Sequence, residues 1–135
     1  MLFKRKIYDK FLAWKTECAG KKALLIEGAR RIGKSTVVEE FAKNEYKSYI
    51  LIDFAKASSD INEYFQLYLN DLDTFFMLLS VQYSVQLHER DSVIIFDEVQ
   101  LFPKAREAIK YLVADGRYDY METGSLISIK ENVKD

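Results

Sequence analysis

The chain has 135 residues, 49% of them hydrophobic, and its 20 basic and 21 acidic residues leave a formal net charge of -1. That length suits one domain with a real core, which excludes wholesale disorder, and the charge balance provides no global field for nucleic acid or an anionic membrane, so nucleic acid stays open as a partner only through a local patch. Cys18 has no second cysteine to pair with, Lys4-Arg5-Lys6 is not followed by an apolar signal region, and no apolar run approaches a membrane span, so a soluble cytoplasmic protein with no membrane partner is expected.

Phe3, Ile7, Phe11 and Leu12 recur at helical spacing and predict an amphipathic helix over 3–18, stopped by Gly20. Ala23 to Glu27 reads as a short buried strand, and a helix is expected from Ser35 to about Asn44. Tyr49 to Asp53 is the second strand. Ala55 to Asp60 reads as a loop with Asp60 as helix cap. Two helices follow over 61–69 and 72–89, broken at Asn70-Asp71, the second carrying Leu72, Phe76, Leu79, Val81, Val85 and His88. Ser92 to Asp97 is the third strand. Pro103 opens a helix that carries Ala105, Ile109, Leu112 and Val113 to Asp115 and ends at Gly116. Tyr118 to Thr123 is the fourth strand, closed by Gly124-Ser125. Strands alternating with helices predict a parallel sheet with helices on both faces.

The strand at 23–27 runs straight into Gly28-Ala29-Arg30-Arg31-Ile32-Gly33-Lys34-Ser35, the G-x-x-x-x-G-K-[ST] pattern of a phosphate-binding P-loop in its strand–loop–helix setting. Gly28 and Gly33 free the backbone so that successive amides across the loop turn inward on anionic oxygens, and the following helix adds its dipole. Lys34 sets an ammonium on the β- and γ-phosphates, Ser35 offers a hydroxyl to magnesium, and Thr36 is a candidate for the α-phosphate. Arg30 and Arg31 have two readings, as phosphate or cross-subunit contacts and as solvated loop side chains.

Val93-Ile94-Ile95-Phe96-Asp97-Glu98 is an apolar strand ending on two acids, the Walker B pattern. In an open α/β sheet ligands sit beyond the carboxyl ends of the strands, so Asp97 and Glu98 are expected at the P-loop's rim. Asp97 suits the magnesium shell, and Glu98 suits orienting and deprotonating an attacking water. Asp53, ending the second strand, either tunes Glu98 through a water or is a polar strand end. No Asn-Lys-x-Asp guanine motif is present, which disfavours a GTPase, and the acidic pair disfavours a small-molecule kinase.

Gly28 to Thr36, then Ile95-Phe96-Asp97-Glu98-Val99-Gln100, then Glu122-Thr123-Gly124-Ser125 together resemble the prokaryotic AAA+-superfamily ATPases of the AAA_14 type, over about residues 3–129. The resemblance implies a three-layer α/β/α P-loop NTPase fold of the additional-strand, catalytic-glutamate division, with a mainly parallel sheet in the strand order 5-1-4-3-2. It implies a sensor-like hydroxyl at the end of the fourth strand, Thr123 or Ser125, on the attacking water or the γ-phosphate, the alternative being a Thr-Gly-Ser turn that satisfies its own backbone. It also suggests that Gln100 orients a loop near the metal, the alternative being a solvated polar residue after a strand, and that Ile7 or Tyr8 stacks on adenine, a packing role for that helix being the equal alternative. Family members continue into a fifth strand, a lid and often a C-terminal DUF4143 domain, so residues 1–135 are expected to be one ATPase domain cut after its fourth core strand. The strand at 23–27 would then be an edge, covered by the tail Leu126-Ile127-Ser128-Ile129 or by self-association into a homo-oligomer.

The function expected from these residues is that of an ATP-binding, magnesium-dependent ATPase module with ATP and ADP as ligands. The alternatives are a nucleotide-sensing switch with little hydrolysis and a nucleic-acid-dependent motor. His88 and Cys18 lack partners at metal-ligand spacing and are expected to be structural. Tyr64, Phe65, Tyr68, Leu69, Phe75 and Phe76 are expected to form core plus a partly exposed face, the alternative being a partner surface for the C-terminal domain.

Overall fold

Four short strands pair edge to edge: β1 (Leu24–Glu27), β2 (Ser48–Asp53), β3 (Ser92–Asp97) and β4 (Asp119–Gly124). The computed structural model describes residues 2–27 and 34–124, with the side chains of residues 2–4 and 34 excepted. Gly28, Ala29, Arg30, Arg31, Ile32, Gly33, Ser125 and the 126–129 tail therefore lie outside the described residues. The strands form one all-parallel sheet in the order β1-β4-β3-β2. This is the α/β sheet expected, with the first four strands in the predicted order. Parallel strands need crossovers, and α1 (Leu2–Cys18), α2 (Lys34–Glu45), α3 (Ser59–Leu67), α4 (Leu72–Tyr83) and α5 (Pro103–Asp115) supply the helical layers.

Alternation along the strands divides the core in two. Ile26, Val93, Ile95 and Met121 pack with Phe11 and Trp14 of α1 and Val37, Val38 and Phe41 of α2. Ile50, Ile52, Ile94, Phe96 and Tyr120 pack on the other face, against α3, α4 and α5. β3, buried along its whole length, reads as a continuous apolar run for that reason. Phe65, Phe75 and Phe76 belong to the second core, while Tyr64, Tyr68 and Leu69 are only partly buried against it, as expected of that aromatic cluster.

Most boundaries fall within one residue of expectation, and the two helices after β2 depart further: α3 spans Ser59–Leu67 and α4 spans Leu72–Tyr83. α4 ends at Tyr83, not near residue 89, because Ser84 turns left-handed (φ 53, ψ 45). The Ser84 amide donates to the Val81 carbonyl and the Val85 amide to the Ser80 carbonyl, so the helix end is closed by its own backbone. A serine fills the position where glycine is the usual signal, so the stop is silent in the sequence and Val85 and His88 lie beyond the helix. α3 begins at Ser59, with Ser58 as its cap residue, so Asp60 is not the cap but an acid in the first turn, favourable to the helix dipole.

The amino-terminal rim is tied by Asp119, which is 4% exposed and accepts from the Tyr46 hydroxyl and from Arg90 Nη2 at 2.6 Å. Burial, then the hydrogen bond to Asp119, push the Tyr46 hydroxyl well above the ordinary phenol range. Arg90 also donates to the Gly116 carbonyl. Its guanidinium lies over Gly20, where an added Cβ would stand 2.5 Å from Nη2. Gly20 itself holds φ +85. Gly20→Ala is therefore expected to cost about 1–3 kcal/mol, combining left-handed strain with displacement of a tethered guanidinium, and urea unfolding would measure it.

Candidate functional site

The parallel register sets the carboxyl ends of all four strands on one rim. Glu27 is level with Gly124, and Asp53 is level with Asp97. Alternation carries the α2-facing side from Val93 through Ile95 to Asp97, and from Met121 to Thr123. Ser35 lies in the first turn of α2, above the same face.

These three side chains meet. Ser35 Oγ donates to Asp97 Oδ1 at 2.6 Å across a separation of 62 residues. Thr123 Oγ1 donates to the same oxygen at 2.6 Å. Asp97 is 8% exposed, and two hydroxyl donors offset the desolvation of its carboxylate. The alternation ends at Glu98, which is left-handed (φ 57, ψ 49). Its amide donates to Thr123 Oγ1 at 3.0 Å, and its carboxylate Oε1 accepts from Gln100 Nε2 at 2.8 Å. Gln100 sits in a short 3-10 turn, Val99–Leu101, that no local sequence signal announces. Thus the structure brings Ser35, Asp97, Glu98, Gln100 and Thr123 together.

Lys34 is the first residue of α2, and Thr36 is exposed in the same turn, where helix amides lack intrahelical partners. The glycine-bearing loop and Ser125 lie outside the described residues. Asp53 Oδ1 accepts the Ala55 amide at 2.9 Å, a local turn at the strand end. The Tyr8 ring meets Phe41 edge to face, and its hydroxyl donates to Glu45, the packing alternative for that helix. His88 donates its amide to Ser92 Oγ, and Cys18 is a free, half-buried thiol.

Glu122 enters the sequence pattern only as the residue before Thr123. It is 5% exposed, on the opposite sheet face from Thr123, and paired with Arg106 at 3.1 Å. Burial raises its carboxyl above the ordinary range despite that partner. It lines a cavity of about 810 Å³ between the start of β1 and α5, walled also by Lys21, Lys22 and Lys110. None of Ser35, Asp97, Glu98 or Thr123 lines this cavity, so it is separate from the rim site. An acid one residue before a polar strand end is the only sequence signal it leaves.

Among the described residues no cluster of three or more His, Cys, Asp or Glu is arranged to hold a metal. Ser35 and Asp97 nonetheless offer adjacent hard oxygens. That pair suits magnesium, which keeps several waters and takes only one or two protein ligands beside substrate phosphates. Among the described residues no helix is long and apolar enough to cross a membrane.

A family model described as an AAA domain matches residues 20–134. None of the curated proteins compared with the chain matches it.

Proposed function

The chain belongs to the AAA domain family, whose members are nucleotide-binding domains of the ATPase type, and from that premise we propose that it binds ATP together with magnesium and hydrolyses it to ADP and phosphate. The observation that carries this reading is the Ser35–Asp97 hydrogen bond at the carboxyl rim, which places a P-loop hydroxyl against the acid that ends β3, with Glu98 next in the chain.

Amides of the 28–33 loop and of the first turn of α2 would cradle the phosphates, and the Lys34 ammonium would neutralise the terminal pair. Ser35 Oγ and Asp97 are the atoms that would hold magnesium, which when bound neutralises charge developing on the phosphoryl oxygens. Glu98 would orient a water in line with the γ-phosphorus and take its proton as the oxygen–phosphorus bond forms and ADP leaves. Gln100 fixes the Glu98 carboxylate from one side. The reading carries a reducing cytoplasmic setting with it, supported by the free Cys18 thiol.

A nucleotide-sensing switch with little turnover is the second reading, favoured by the Gln100 donor already seated on Glu98 Oε1. Phosphate release by the purified chain separates the two. Magnesium-dependent release that chelation abolishes is expected for the hydrolase. Saturable ATP binding with no release above background would favour the switch.

A further inference from the structure

We infer that Thr123 is a positioning residue that locks Asp97 and Glu98 to one another, and that its hydroxyl donates no hydrogen bond to the γ-phosphate or the attacking water; the inference rests on the reading of Asp97 and Glu98 given above. Thr123 is 0% exposed. A hydroxyl has one proton to donate, and that of Thr123 goes to Asp97 Oδ1. Its oxygen in turn accepts the Glu98 amide. To donate to a phosphate or a water, Thr123 would have to release the acid assigned to magnesium.

The backbone at Glu98 shows what the lock accomplishes. A left-handed conformation is unfavourable for a residue with a Cβ and persists where its surroundings fix it. The amide of that same residue is the one anchored on Thr123. The β3–β4 register pairs Phe96 with Glu122, so the next residue of each strand brings Asp97 and Thr123 side by side. One hydroxyl therefore sets both the side chain of Asp97 and the peptide that begins Glu98. Thr123 thus governs the spacing between the metal-side acid and the base.

Thr123→Val keeps the shape of the side chain and removes both hydrogen bonds, while Thr123→Ser keeps the hydroxyl. In Thr123→Val, turnover is expected to fall by about 10- to 100-fold, the scale for a misplaced base, with ATP and ADP affinities changing by the same small factor and higher magnesium needed for half-maximal binding. Thr123→Ser is expected to restore most of the turnover. Independently of nucleotide, the Glu98 amide should exchange with deuterium at least about tenfold faster in Thr123→Val than in the wild type or Thr123→Ser, as expected of a lost hydrogen bond. Unchanged Glu98 exchange in Thr123→Val would overturn the inference. So would a loss of ATP affinity with ADP affinity intact, which marks a direct γ-phosphate contact. Absence of turnover in the wild type would count against the hydrolase reading alone, because the amide exchange still decides the role of Thr123.

Discussion

Glu98→Gln is expected to bind ATP and magnesium with an affinity within a few-fold of the wild type while its turnover falls by about 100- to 10,000-fold, the range for loss of a general base. The substitution changes one oxygen for an amide nitrogen and nothing in volume. The side chain keeps an oxygen able to accept from Gln100 Nε2, now at 2.8 Å, and the backbone keeps its amide on Thr123. The left-handed turn and the placement of Asp97 should therefore survive. What is lost is a carboxylate able to take a proton from water. Phosphate release and calorimetric titration on the same preparation check the two halves. Retained turnover in Glu98→Gln would remove Glu98 from its assigned role and leave the binding site standing.

Lys34→Ala is expected to raise the dissociation constants of both ATP and ADP by about 100- to 1,000-fold, the scale for removing one charged donor from a preorganised phosphate site. Lys34 opens α2, one residue before the Ser35 hydroxyl that meets Asp97. Amides of that turn remain in the variant, so weak binding should persist through the helix N-terminus. Both nucleotides should suffer, because both carry a β-phosphate. Titration calorimetry measures the loss, and a far-ultraviolet spectrum unchanged from the wild type would assign it to the site. Wild-type affinity in Lys34→Ala would show that the glycine-bearing segment is an ordinary turn.

Elements whose signals are local were legible in the sequence. β3 could be bounded at Ser92 and Asp97 because the apolar run is continuous between two polar ends, and both faces of that strand prove to be buried. α5 could be bounded at Pro103 and Asp115 because proline fits the first helical position and Gly116 holds φ 83 just beyond the last turn. The end of α4 was hidden because Ser84, not glycine, takes the left-handed position there. The left-handed Glu98 was hidden for the same reason: nothing in the pair Asp97-Glu98 announces a positive φ.

Candidates for the site could be listed from the sequence, but not their arrangement. The P-loop pattern and the acidic strand end mark Ser35, Asp97 and Glu98 as candidates by type and spacing. That Ser35 and Thr123 converge on one oxygen of Asp97 depends on contacts 62 and 26 residues apart, fixed by β4 lying between β1 and β3. Neither separation leaves a periodicity in the chain. The Arg106–Glu122 pair was invisible for a related reason, since only the strand register shows that Glu122 turns away from the rim that Thr123 serves.

The most direct test is calorimetric titration of the wild-type chain with ATP, in excess magnesium and again after chelation. A phosphate cradle facing the Ser35–Asp97 pair predicts saturable binding at one site per chain, weakened strongly when magnesium is withdrawn. No binding at saturating ATP with magnesium present, or an affinity indifferent to magnesium, would contradict it.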